Sequence, residues 1–151
     1  MQVSGKALVC DSIDQTGINS LRAAGITVDY MPEITSDELM SRAKDYQVII
    51  VRSRTRITKD IINAAINAKI IARVGVGLDN IDLYTAETKK IRVINAAEAA
   101  INAVSELAIG HMISLARCIP YADSETKKGR WVKNKLSGIE LKGKYLGIVG
   151  V

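Results

Sequence analysis

Three arginines alternate along Arg52-Ser53-Arg54-Thr55-Arg56, directly behind the apolar run Val48-Ile49-Ile50-Val51. In extended backbone, side chains two apart point the same way, so Arg52, Arg54 and Arg56 are expected to project to one side. Guanidinium forks match phosphate or carboxylate, and several gathered together call for an anion. The plainer alternative is an exposed basic loop. A second candidate is Arg73-Val74-Gly75-Val76-Gly77, behind Ile70-Ile71-Ala72. Alternating glycines let a backbone come close to a ligand and aim N–H groups at an anion. This is not a dinucleotide fingerprint, because Asn80 stands where the third glycine belongs. Gly150, after the apolar run Tyr145–Val149, is in the right context for one; its further glycines would lie beyond Val151.

The other reactive side chains do not assemble into a site. His111 is the only histidine, and it sits in an apolar helical pattern where a packing role is the simpler reading. Glu106, near the start of that helix, suits its positive end better than proton transfer. Cys10 and Cys118 match no metal or redox spacing and are expected to behave as small buried hydrophobes. The visible sites bind anions. No catalytic residue and no metal site are expected in this chain.

The elements that must hold these residues are legible from pattern. Short apolar runs at Ala7–Cys10, Ile26–Val28, Val48–Val51, Ile70–Ala72 and Arg92–Ile94 read as strands. Helical patterns separate them, with N-cap candidates among Asp11–Asp14 and at Thr35, Ser36 and Thr58. Strands alternating with helices imply a parallel α/β sheet covered on both faces. Past Asn95 the pattern changes. Ala103–Arg117 reads as one long helix, apolar over most of its circumference, which must be buried inside a large protein or against another subunit. Pro120 permits a second helix, Gly129 ends it, and Tyr145–Val149 reads as a further strand. A strand with no following helix suggests a second domain cut short.

The chain has 151 residues, 48% hydrophobic and 25% charged, enough for a real core without disulfide staples. Its net charge of +5 is concentrated late: residues 1–98 hold 13 Lys/Arg against 12 Asp/Glu, and the remainder 8 against 4. Such a run, with only Trp131 and Tyr145 interleaved, reads as a solvated face and not as a nucleic-acid surface. Ser105, Glu106, His111 and Ser114 interrupt the longest apolar stretch, so no membrane span is expected. With no basic-apolar leader behind Met1, a cytoplasmic setting is the expectation.

Several segments together resemble the D-isomer-specific 2-hydroxyacid dehydrogenases. They are Val51–Thr55, Ile61-Ile62-Asn63-Ala64-Ala65, Gly75–Asp82, Ser105-Glu106-Leu107 and Leu115-Ala116-Arg117 with Ile119-Pro120. Gly129-Arg130-Trp131 and Glu140–Lys144 leading into Leu146–Gly150 continue the series in the same order. Within that family the match is nearest the phosphoglycerate dehydrogenase branch. The resemblance implies a flavodoxin-like substrate domain over residues 1–98, then the start of a Rossmann nucleotide-binding domain over 99–151. It implies an NAD-dependent oxidoreductase that oxidises D-3-phosphoglycerate to 3-phosphohydroxypyruvate in serine biosynthesis. A glyoxylate or hydroxypyruvate reductase, or a non-catalytic anion-binding fragment, are the alternatives. By the same resemblance Arg52, Ser53 and Arg54 contact the substrate, and the backbone at Val76 and Gly77 receives its carboxylate. Val76 also lies near the cofactor, Gly150 is the first fingerprint glycine, and Ala103–Trp131 forms a homodimer contact. The family's catalytic Arg, Glu and His fall beyond Val151. Many relatives carry Pro and Asn where this chain has Ala97 and Ala100; Asn102 is close enough to stand in for the latter.

Overall fold

A computed structural model describes residues 5–149. The chain divides into two compact units, Met1–Ala100 and Ile101–Val151. In the first, five strands alternate with four helices: β1 (Gly5–Val9), α1 (Gln15–Ala23), β2 (Ile26–Tyr30), α2 (Ser36–Arg42), β3 (Val48–Val51), α3 (Lys59–Ala64), β4 (Ile70–Arg73), α4 (Leu83–Thr88) and β5 (Arg92–Asn95). The strands form one parallel sheet in the order β2-β1-β3-β4-β5, the doubly wound flavodoxin-like order.

Local chemistry explains where the helices start. Asp14 caps α1 by accepting from the Thr16 N–H, and Thr58 caps α3 by accepting from the Ile61 N–H. Thr35 and Glu38 close a reciprocal capping box on α2. Gly25, at φ +87°, ends the turn after α1 in a conformation that a side chain would strain.

Alternation along the strands divides the core in two. Leu8, Ile49, Val51 and Ile71 pack beneath α2, α3 and α4, with Leu39, Tyr46, Ile61, Ile62 and Ala86. Ala7, Val9, Val28 and Ile50 face the other way, against Ile18 and Leu21 of α1. One helix covers less of a sheet than three do. The α1 side is open toward β5, where Ile94 and Val74 are about two-fifths exposed, at 40% and 39%.

The second unit contains α5 (Ile101–Ala116) and α6 (Ile119–Lys127). Cys118, at φ +54°, turns the chain between them, Pro120 lies in the first turn of α6, and Gly129 at φ +71° follows its end. One expectation is corrected here. Tyr145–Val149 is not a strand: a strand exists only when a neighbour pairs with its backbone, and no such neighbour lies among the described residues. The long helix, expected to need burial in a larger protein or against another subunit, is largely exposed in this chain. Leu107, Ile109 and Leu115 are 60%, 53% and 79% exposed, and only Ala116 is buried. The helical run Ala97–Ala116 is long and apolar enough to cross a membrane by length and composition. Glu98, Glu106 and His111 interrupt it.

Candidate anion-binding site

In a doubly wound sheet, strand order reverses at one point, and the loops leaving the carboxyl ends of the flanking strands diverge to leave a crevice. Here that point lies between β1 and β3. A pocket of about 160 Å³ sits there, lined by Asp11 and Ser12 after β1, Pro32 and Glu33 after β2, and Arg52, Ser53 and Arg54 after β3.

Asp11 organises the pocket. Its carboxylate is buried, 2% exposed, and accepts from the Arg52 N–H, the Thr55 N–H and the Thr55 hydroxyl, the last at 2.6 Å. A buried carboxylate is tolerated only with such partners. The Arg54 Nε lies 3.3 Å from its Oδ1. Arg54 also donates to the carbonyls of Cys10 at 2.7 Å, Pro32 at 2.6 Å and Ile34 at 3.2 Å. The Arg52 guanidinium is exposed, with one contact to the Ser12 carbonyl at 3.5 Å.

The expected trio of arginines is corrected to a pair. Arg56 lines a different pocket, with Thr58, Lys59, Asp79 and Asp82. The alternation breaks because the chain leaves extended geometry after Val51. Thr55 turns in to Asp11, and Ile57 bridges to Ile81.

The loop after β4 meets this corner through two side chains. Asn80 donates from Nδ2 to the carbonyls of Arg52 at 3.1 Å and Thr55 at 2.7 Å. Arg73 donates from Nε to the Arg52 carbonyl at 3.1 Å and from Nη1 to the Gly77 carbonyl. The loop's other carbonyls also turn inward: Gly75 accepts from the Ala96 N–H at 3.0 Å and Val76 from Asn95 Nδ2 at 2.6 Å. Among the described residues, no acceptor meets the N–H groups of Val76 and Gly77. Two adjacent free donors on a loop held by its carbonyls have the chemistry to meet a carboxylate-sized anion.

Of the residues singled out from the sequence, Arg52, Ser53 and Arg54 line one pocket, and Val76 and Gly77 lie on the loop after β4. Gly150 lies outside the described residues. Asp11, Arg73, Asn80 and Asn95 were not recognised for what they do. Asp11 had the clearest signal, being the first residue after an apolar strand, where such a fold places its crevice. Cys10 is buried, and desolvation with the neighbouring Asp11 charge pushes its thiol up to about 12, so it is no nucleophile. Cys118, expected to be buried, is only half-buried at the α5–α6 turn.

The sheet order defines a doubly wound α/β domain, with an arginine corner and free backbone donors at the ends of its strands, and its sequence places it in a family. The chain belongs to the D-isomer specific 2-hydroxyacid dehydrogenases, whose catalytic-domain model matches residues 7–139. It is 42% identical to the D-3-phosphoglycerate dehydrogenase of Methanocaldococcus jannaschii, over 97% of this chain and 28% of that protein. It is 48% identical to the hydroxypyruvate reductase of Thermotoga maritima, over 78% of this chain and 40% of that protein. Among solved structures, the NAD+-bound 3-phosphoglycerate dehydrogenase of Entamoeba histolytica superposes with a TM-score of 0.65 at 33% identity, covering 76% of this chain and 40% of that one. The chain spans between about a quarter and two-fifths of the length of these relatives.

Proposed function

We propose that this chain supplies the substrate-binding side of an NAD-dependent dehydrogenase that oxidises D-3-phosphoglycerate to 3-phosphohydroxypyruvate. The observation that carries the reading is the pairing of two anion receptors joined by Arg73. The arginine corner at the β1–β3 crevice suits a distal phosphate, and the free Val76 and Gly77 N–H groups suit the carboxylate. A substrate with an anion at each end of a short carbon chain fits that layout. Residues 1–98 form the substrate domain, and 99–151 begin the nucleotide-binding domain.

When bound, NAD supplies the acceptor for the hydride leaving the hydroxyl-bearing carbon. The described residues do not by themselves fit a dinucleotide. The Asp79 carboxylate lies 2.8 Å from where a Cβ on Gly77 would stand, which opposes a pyrophosphate at that turn. Among the described residues, 145–149 form no strand that could lead into a glycine turn. This reading assigns the cofactor's site and the groups that move protons to residues other than those described. This chain's residues bind and orient.

The exposed apolar face of α5, continued by Tyr121 and Trp131, suits a two-fold contact with a second copy better than a bilayer, since Glu106 and His111 project from the same helix. The unpaired cysteines agree with a reducing cytoplasm. A hydroxypyruvate reductase is the second reading, favoured by the 48% identity to that relative. Steady-state kinetics on the complete enzyme separate the two. The primary reading predicts a kcat/KM for D-3-phosphoglycerate at least about tenfold above that for D-glycerate, from one charged hydrogen bond to phosphate. An equal or larger value for D-glycerate, or for hydroxypyruvate in the reverse direction, supports the second.

A further inference from the structure

We infer that Asp11 and Arg54 are a positioning pair, and that Arg52 alone presents the charge that meets the substrate's distal anion. This rests on the dehydrogenase reading and divides the labour within its arginine corner.

The two guanidinium groups differ in what they already hold. Arg54 has three N–H groups donated to the carbonyls of Cys10, Pro32 and Ile34, and its Nε faces Asp11 at 3.3 Å. A guanidinium carries five N–H donors, so one on Nη1 is left. Its charge is already opposed by a buried carboxylate. A phosphate brought against it would also face Asp11 and three carbonyl oxygens. The fork ties the end of β1 and the segment after β2 to the loop after β3, which is the work of a strut.

Arg52 is built the other way. Its main chain is pinned from both sides: the N–H donates to Asp11, and the carbonyl accepts from Arg73 at 3.1 Å and Asn80 at 3.1 Å. Its side chain is exposed, and its single contact, to the Ser12 carbonyl at 3.5 Å, is at the limit of a hydrogen bond. A fixed root with a free charged head is the arrangement a ligand contact needs, because little ordering remains to be done on binding. The buried carboxylate that balances Arg54 is the same group that fixes the Arg52 amide. Asp11 thus acts on the anion through Arg52.

The test measures the preference for D-3-phosphoglycerate over D-glycerate, as a ratio of kcat/KM, in variants of the complete enzyme. Arg52→Gln should lower the ratio by about ten- to a hundredfold, the worth of a charged hydrogen bond. Arg54→Gln should also lower it, because the Asp11 charge is then left without its partner and the loop shifts. Asp11→Asn combined with Arg54→Gln makes a neutral pair that still offers amide donors to the carbonyls. It should restore the ratio to within about threefold of the unaltered enzyme, a coupling that independent sites do not show. Arg54→Lys keeps the charge but loses the fork and should be as poor as Arg54→Gln. A double variant as poor as Arg54→Gln overturns the inference, as does an unchanged ratio in Arg52→Gln; both leave the dehydrogenase reading in place. If the double variant does not fold, Arg54→Lys decides: a ratio near that of the unaltered enzyme overturns the inference. An unaltered enzyme with no preference for the phosphorylated substrate overturns the functional reading, and this one with it.

Discussion

Arg73, the last residue of β4, reaches forward to donate from Nη1 to the carbonyl of Gly77. The turn closes around the guanidinium so tightly that a Cβ on Gly75 would lie 3.1 Å from Nη1. Because Nε of the same side chain donates to the Arg52 carbonyl, one residue sets the spacing between the loop after β3 and the loop after β4.

Replacing Arg73 with Met should therefore harm both substrate ends alike. In the complete enzyme, kcat/KM should fall for both substrates, and further for D-3-phosphoglycerate, which uses both receptors, than for D-glycerate, which uses one. In urea unfolding, stability should drop by about 1–2 kcal/mol for the two lost hydrogen bonds. A loss confined to the phosphorylated substrate would show instead that Arg73 touches phosphate.

Acid stability should depend on Asp29. Its carboxylate accepts from the Tyr46 hydroxyl at 2.7 Å and pairs with Lys6 at 3.0 Å. The Tyr46 hydrogen bond first, and the Lys6 one second, hold it below the ordinary value of 3.8. A carboxylate with a lowered folded pKa stabilises the fold above its unfolded value, and that contribution is lost as pH falls through the folded one. Asp29→Asn should therefore be less stable than the unaltered chain near neutrality and show a shallower fall below about pH 4. Glu38, held low by the Thr35 N–H, keeps some slope in the variant. Parallel stability curves for the two proteins would contradict this.

The two thiols should separate cleanly. Cys10 is 0% exposed, with its thiol at about 12, whereas Cys118 is half-buried. Under mildly alkaline conditions a thiol-disulfide reagent should label Cys118 in the folded chain and Cys10 only after denaturation. Early labelling of Cys10, located by peptide mass, would contradict the buried β1 end.

Self-association should follow from α5. Light scattering on the chain at tens of micromolar should report a dimer, and Leu107→Glu, at a position 60% exposed in the monomer, should shift it to monomer. A monomer before substitution would show that this face is covered by something else.

The first unit was readable because β1, β3 and β4 carry short continuous apolar runs and the helix starts carry their own capping residues, as at Thr35 and Thr58. The arginine corner was readable in part. Residue type marked Arg52 and Arg54, but nothing local shows that Asp11, about forty positions earlier, is their partner, since pairing across β1 and β3 is a tertiary fact. Arg56 was misplaced because a strand's alternation was extended past the strand. Tyr145–Val149 failed for a related reason. Its residues favour a strand, but no partner strand lies among the described residues, and composition alone makes no ladder.

This chain is expected to hold both of the substrate's anion receptors. The direct measurement is an amide NMR titration of the chain with D-3-phosphoglycerate, with NAD in parallel. Saturable shifts are expected at Arg52–Thr55 and at Gly75–Gly77 together, with affinity in the millimolar range and no comparable binding of NAD. Shifts confined to one of the two loops, or to the lysines of residues 127–144, or micromolar binding of NAD, would contradict it.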